Sequence, residues 1–168
     1  MDSYLFLDID GVLNSERTVH AHQRLIHAGR VKHDMLVGKP VDPLWDATAV
    51  GMLKASHADI GFKIVISSTW RVLMSRDAFH TIFDSYGWDT RGIIVGSTDQ
   101  ENGKRGLQIE RWLQQSGNSK ARYCILDDDD DMLPTQQESF VKVSYREGLS
   151  YTDIERLYAI FGVELRGI

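Results

Sequence analysis

Short apolar runs alternate along the chain with longer segments in which apolar residues recur at helical spacing. The runs predict five strands, at residues 4–8, 63–67, 93–96, 122–126 and 139–143. The longer segments predict helices from Asp42-Pro43 to Gly61, over 72–86, over 107–113 ending near Gly117, and a last one capped by Thr152 and Glu155. Strands that alternate with helices indicate an α/β fold with a mostly parallel sheet of about five strands, flanked by helices in a three-layer, Rossmann-like arrangement.

One segment, residues 14–41, fits this alternation poorly. It follows the first strand, holds four of the six histidines and has more Lys and Arg than acids; the histidines are His20, His22, His27 and His33. The histidine spacing matches no zinc-binding pattern, so a solvated basic flap is the better interpretation than a second metal site. We therefore predict a single domain over residues 1–168, with 14–41 as a small insertion that can attract anionic substrates.

The negative charge of the chain is concentrated at one place. The net charge is −5 at pH 7, and the five consecutive aspartates at 127–131 account for all of it. This distribution excludes a uniformly basic nucleic-acid surface and suggests a cation site. The chain has a single cysteine, Cys124, and its first residues lack a signal-peptide pattern. We therefore expect a soluble, cytoplasmic protein without internal disulfides.

Polar residues follow three of the predicted strands. They are Asp8-Ile9-Asp10-Gly11, Ser67-Ser68-Thr69 and the aspartate run. Ligands of open α/β sheets bind beyond the carboxyl ends of the strands, so we expect these three segments to converge on one edge of the sheet.

The converging carboxylates suggest metal-assisted chemistry. Asp8, Asp10, Asp127 and Asp128 would repel one another unless a cation lay between them, and an all-oxygen set with open positions suits Mg²⁺. Asp8 is ionised at neutral pH and can attack a phosphate directly, while Asp10 can act as acid and base. The alternative is that each aspartate only caps a turn or helix. Arg71 is either a phosphate-binding group, together with Ser68, or a solvent-facing residue at a helix start.

Three segments resemble motifs of the haloacid dehalogenase (HAD) superfamily. Residues 5–14, Leu-Phe-Leu-Asp-Ile-Asp-Gly-Val-Leu-Asn, resemble motif I; residues 64–67 resemble motif II; and Asp127-Asp128 with Asp131 resemble motif IV. The segments 67–71, 105–113 and 126–132 are most similar to small phosphatase-like HAD domains that occur alone or fused to RNA-repair enzymes.

The resemblance implies a role for each matching residue. Asp8 would be nucleophile and metal ligand, Asp10 would be acid and base and touch the metal through its carbonyl, and Ser67 would bind phosphoryl oxygens. Asp127 and Asp128 would complete the Mg²⁺ site, with Asp131 as a supporting or alternative ligand. The motif III cation is either Lys104 or Arg105, and the similarity around Arg105-Gly106 favours Arg105. The insertion at 14–41 would stand in place of a full cap domain.

Together these features predict a Mg²⁺-dependent phosphomonoester hydrolase that forms an aspartyl phosphate. Its expected substrates are nucleic-acid ends, nucleotides or small phosphomonoesters, with no membrane partner. Two alternatives belong to other classes: a non-catalytic Mg²⁺-binding interaction domain, and a phosphorelay receiver. A receiver carries its phosphorylated aspartate at the end of a middle strand, whereas the predicted strand at 93–96 is followed by Ser97 and Thr98.

Overall fold

All five apolar runs form strands of one parallel sheet. The structure, a computed structural model, describes residues 2–28, 45–101 and 103–165. The strands are β1 (Ser3–Leu7), β2 (Lys63–Ile66), β3 (Ile94–Ser97), β4 (Arg122–Asp127) and β5 (Phe140–Lys142). Their order is β3-β2-β1-β4-β5, and every neighbouring pair is parallel. This order confirms the predicted fold class, and it differs from the β2-β1-β3-β4-β5 order typical of receivers.

Helices cover both faces of the sheet. They are α1 (Glu16–His27), α2 (Ala47–Ile60), α3 (Trp70–Leu73), α4 (Arg76–Ser85), α5 (Arg105–Gln115) and α6 (Tyr151–Phe161), with a 3₁₀ helix at Pro134–Ser139. Side chains of β1 alternate between the faces: Leu5 and Leu7 pack with α2, α4 and α6, whereas Tyr4 and Phe6 pack with α5. The central strand is therefore buried from both sides, as its unbroken apolar run predicts.

Two helix boundaries differ from the prediction because nearby side chains offer better caps. The helix expected from Asp42-Pro43 begins instead at Ala47, where the carboxylate of Asp46 accepts from the N–H groups of Thr48 and Ala49; Asp42 and Pro43 lie outside the described residues. Its end beside Gly61 is confirmed, since this residue is left-handed with φ 77°. In the last helix the capping box is formed by Ser150 and Asp153.

In α6 this Ser150–Asp153 capping box replaces the predicted pair of Thr152 and Glu155.

The segment predicted as one helix over 72–86 forms two helices, α3 and α4. The break comes at Met74, which is extended, and at Ser75, whose hydroxyl accepts from the N–H of Ala78 and starts α4. Leu107, which was expected on the buried face of α5, is exposed, and the neighbouring Gln108 is buried instead.

Helix α1 lies within the predicted flap, where the sequence pattern predicted no helix. The N–H groups of Glu16 and Arg17 donate to the carbonyls of Tyr145 and Arg146, which fastens its start to the loop after β5. Residues 29–41 of the flap, including His33, lie outside the described residues. Among the residues that the structure describes, no helix is long and apolar enough to cross a membrane.

Candidate active site

The carboxyl ends of three strands meet at one edge of the sheet. Asp8 directly follows β1, and its N–H donates to the carbonyl of Leu126 in β4 at 3.0 Å. The N–H of Ser67, after β2, donates to the carbonyl of Leu7 at 2.9 Å. Backbone pairing on both sides of β1 therefore places the Asp8 segment between the Ser67 segment and the aspartate run, as predicted.

Three carboxylates form a compact group at this edge. One oxygen each of Asp8, Asp127 and Asp128 lies within 4.8 Å of the others. Asp8 and Asp127 are only 5% and 1% exposed. The approach of Asp128 depends on Gly11, because a Cβ built there would lie 2.5 Å from Asp128 Cγ. Gly11 also has a φ of 73°, a conformation that glycine adopts without strain.

The electrostatics of the group favour a cation. Burial raises the pKa of Asp8 to about 6 against the opposing charge of Arg105. Burial, with the charge of Asp8 as the next cause, raises the pKa of Asp127 to about 8. Carboxylates so arranged hold a proton near neutral pH, and a divalent cation can take the place of that proton. The donors are all oxygen atoms, which fits Mg²⁺.

Arg105, and not Lys104, faces the carboxylates. Its Nε lies 3.2 Å from Oδ2 of Asp127 and its Nη2 lies 3.8 Å from Oδ1 of Asp8. Lys104 is exposed, precedes the first turn of α5 and makes no ion pair among the described residues. The geometry therefore favours Arg105 over Lys104 as the motif III cation, a choice that the sequence had left open.

The aspartate run divides into different tasks. Asp127 and Asp128 join the acidic group, whereas Asp131 accepts the backbone N–H of Arg105 through Oδ2 at 2.8 Å. Asp130 pairs with Lys142 on the surface at 2.7 Å. Asp131 thus holds the start of α5, and with it Arg105, against the acidic group.

The two serines after β2 differ in their partners. Ser68 donates a side-chain hydrogen bond to Asp8, which lowers the carboxyl's pKa, although less than burial raises it. Ser67 is 1% exposed, and its hydroxyl has no hydrogen-bond partner among the described residues. A buried hydroxyl without a partner is costly, so Ser67 is ready to donate to a bound ligand.

Asp10 lies outside the acidic group and is held by two donors. Asn14 Nδ2 donates to Oδ1 at 2.8 Å, and Trp70 Nε1 donates to Oδ2 at 2.9 Å. Sequence reasoning missed both partners. Asn14 ends the motif I segment and Trp70 comes shortly after Ser67, so both residues are close to a motif in the sequence. This closeness was the only sequence feature that could have pointed to them, and it does not show that their side chains contact Asp10.

Arg71 is enclosed by protein acceptors. Its guanidinium donates to the carbonyls of Asp99 and Ser68 and to Oε1 of Gln108. Burial and the nearby charge of Arg105 lower its pKa. The solvent-facing interpretation is therefore wrong: Arg71 ties together the segments after β2 and β3 and helix α5. Its contact with substrate stays a prediction.

Comparison with known proteins agrees with this geometry. The model of one family, described as the HAD domain in Swiss Army Knife RNA repair proteins, matches residues 4–154. No curated protein and no solved structure gives a significant match. The match begins in β1 and ends in α6, so it spans all five strands and the acidic group. The chain therefore belongs to the HAD superfamily of hydrolases and phosphatases, in the family of HAD domains of Swiss Army Knife RNA repair proteins.

Proposed function

We propose that the protein is a Mg²⁺-dependent phosphomonoester hydrolase that works through an aspartyl phosphate on Asp8. One observation carries the proposal: the buried Asp8 carboxylate lies with Asp127 and Asp128 within reach of a single cation, with Arg105 beside them. Such a set matches what phosphoryl transfer needs, namely an ionised nucleophile and positive charge around the transferred group.

In the first step, a carboxylate oxygen of Asp8 attacks phosphorus and forms the acyl phosphate bond. The ester P–O bond breaks, and the departing alcohol oxygen takes a proton from Asp10. In the second step, Asp10 takes a proton from water, whose oxygen attacks the same phosphorus and releases Asp8 and inorganic phosphate. Asp8, Asp127, Asp128 and the carbonyl of Asp10 would hold Mg²⁺, which when bound neutralises charge on the phosphoryl oxygens.

Two further side chains serve the phosphoryl group. The Ser67 hydroxyl, which lacks a partner among the described residues, donates to a phosphoryl oxygen. The Arg105 guanidinium balances the charge that the carboxylates and the phosphoryl group bring together. In this account Ser68 orients Asp8, and Arg71 supports the segment that carries both serines.

The substrate we propose is a phosphorylated nucleic-acid end or a nucleotide. The family description refers to RNA repair proteins. The insertion at 14–41 is too short for a cap domain, and its described part, α1, carries Arg24 and three histidines. An open site beside a basic helix suits a polyanion better than a small metabolite.

A phosphatase assay with a matched pair of variants tests the proposal. The substrates are a panel of small phosphomonoesters, nucleotides and 3′- and 5′-phosphorylated oligonucleotides, each with Mg²⁺ and with chelator. We expect Mg²⁺-dependent release of phosphate, abolished in Asp8→Asn and retained in Asp130→Asn, because Asp130 faces Lys142 on the surface. Mg²⁺ binding without turnover of any substrate would instead support the non-catalytic interaction domain.

A further inference from the structure

A cavity of about 330 Å³ opens beside Asp10. The turn after β1 and the first turns of α1 form one wall with Asn14, Ser15, Glu16, Val19 and His20, and Tyr145 contributes from the loop after β5. The Glu16 carboxylate is paired with Arg146 at 3.4 Å. We call these six lining residues, with the space between them, the leaving-group subsite. Its volume lies at the lower end of the range of ordinary small-molecule sites.

The walls of the leaving-group subsite are fixed by backbone hydrogen bonds. The N–H of Glu16 donates to the carbonyl of Tyr145 at 3.1 Å, so the two walls are tied to each other. The N–H of Gly148 closes the turn that carries Tyr145 by donating to the carbonyl of Ser144 at 2.7 Å. The Tyr145 side chain nevertheless remains 57% exposed. An aromatic ring is thus presented to solvent from a well-anchored turn.

We propose that the leaving-group subsite binds the alcohol part of the phosphomonoester, and that this part carries a planar ring, such as a nucleobase, that stacks on Tyr145. This inference rests on the proposed function. Since Asp10 protonates the departing oxygen, the group attached to that oxygen must extend from Asp10, and the cavity begins there. Tyr145 provides an aromatic face, Val19 an apolar surface, and the exposed His20 provides ring nitrogens for a sugar or base edge.

A nucleotide and the end of an oligonucleotide share this ring chemistry. A second cavity of about 360 Å³ continues along α1, shares His20 with the subsite and is lined by Gln23, Arg24 and His27. The next phosphate of an oligonucleotide would reach these side chains, whereas a mononucleotide would end before them. A substitution at Arg24 should therefore distinguish an oligonucleotide end from a free nucleotide as the ligand.

The test compares adenosine monophosphate with ribose 5-phosphate, which has the sugar but lacks the base. We expect wild type to prefer the nucleotide in kcat/KM by about tenfold to a hundredfold, as base stacking predicts. Tyr145→Phe should keep this preference and Tyr145→Ala should lose most of it. Tyr151→Ala, another exposed tyrosine that does not line the cavity, should keep it. Equal kcat/KM for the two compounds in wild type would overturn the inference.

Binding to Asp8→Asn, measured by calorimetry with Mg²⁺, separates this inference from the proposed function. If the subsite is right, adenosine monophosphate binds more tightly than ribose 5-phosphate, and adding Tyr145→Ala removes the difference, whether or not the wild type turns over either compound. Binding without a base preference would overturn the subsite alone. Arg24→Gln should weaken a phosphorylated oligonucleotide more than the mononucleotide if the polymer is the substrate. If Arg24→Gln leaves the binding of both ligands unchanged, the site is assigned to nucleotides; an equal loss for both would overturn the placement of the base beside Tyr145.

Discussion

The indole of Trp70 donates a hydrogen bond from Nε1 to Oδ2 of Asp10 across 2.9 Å, while Asn14 donates to Oδ1. The two contacting atoms, Trp70 Nε1 and Asn14 Nδ2, both donate, so they fix the plane of the carboxylate and leave its remaining lone pairs for a proton. Trp70 in turn packs against Trp45, with ring centroids 6.0 Å apart. Trp70, which follows β2, therefore helps to set the orientation of Asp10, the side chain proposed to act as both acid and base.

Removing the indole donor tests this positioning role. Trp70→Phe keeps an aromatic ring but loses the hydrogen bond to a charged group, worth about 1.5–3 kcal/mol. We expect kcat to fall about tenfold to a hundredfold while KM changes little, because binding of the phosphoryl group does not use Asp10. Steady-state kinetics with a single nucleotide as substrate would measure the changes in kcat and KM separately.

Trp45→Phe is the matched control for that variant. Trp45 is buried beside Trp70, but its Nε1 makes no hydrogen bond among the described residues. The control should keep wild-type kcat, since no donor to Asp10 is lost. An equal loss of kcat in both variants would mean that the aromatic packing, and not the hydrogen bond, supports activity.

The assignment of the motif III cation can be tested at two adjacent positions. Arg105→Gln removes the charge that lies 3.2 Å from Asp127, and we expect kcat/KM to fall by about a hundredfold or more. Arg105→Lys should retain part of the activity, because it keeps the charge and loses the planar fork. Lys104→Gln should be nearly neutral. A larger loss for Lys104→Gln than for Arg105→Gln would reverse the assignment.

The raised pKa values of the acidic group predict an unusual dependence of stability on pH. Asp8 and Asp127 have pKa values of about 6 and about 8, above the value near 3.9 of an unfolded chain. Between about pH 4 and about pH 8, the metal-free folded protein binds more protons than the unfolded chain. Its free energy of unfolding must therefore fall as pH rises from about 4 to about 8.

Thermal unfolding in chelator would show this as a Tm that decreases across that range. Mg²⁺ should raise the Tm more at about pH 8 than at about pH 5, because at the lower pH it must displace a proton. Asp127→Asn should flatten both effects. Asp130→Asn should preserve them, since its carboxylate pairs with Lys142 outside the group. A Tm that is independent of Mg²⁺ at every pH would argue against the metal site.

The sheet and the convergence of its strand ends were predictable because they depend on short-range patterns. The apolar run before Asp8 and the β-branched run before Ser67 each fix a buried strand, and parallel strands bring their carboxyl ends to one edge. Within the aspartate run, only the resemblance to motif IV pointed to Asp127 and Asp128. The residues by themselves do not predict which carboxylate joins the acidic group and which pairs with Lys142, because this depends on the turn after β4 and the five neighbours are identical.

The partners of Asp10 were hidden for a different reason. Trp70 lies far from Asp10 in sequence, and its indole meets the carboxylate only because β1 and β2 are neighbours in register. The structure of α1 was missed because the histidines and arginines of the flap obscured its helical pattern. Its contact with the Tyr145 loop is made by backbone hydrogen bonds, which leave no trace in side-chain composition, and by two exposed ion pairs, Glu16–Arg146 and Arg17–Glu147.

Trapping the covalent intermediate is the most direct test of the central claim. The protein would be mixed with Mg²⁺ and a turned-over substrate labelled in its phosphoryl group, quenched in acid, and its peptides mapped for label. The account predicts label on the peptide that contains Asp8, released by hydroxylamine as expected for an acyl phosphate, retained in Asp130→Asn and absent in Asp8→Asn. Full turnover with no label at Asp8, or label on another residue, would contradict it.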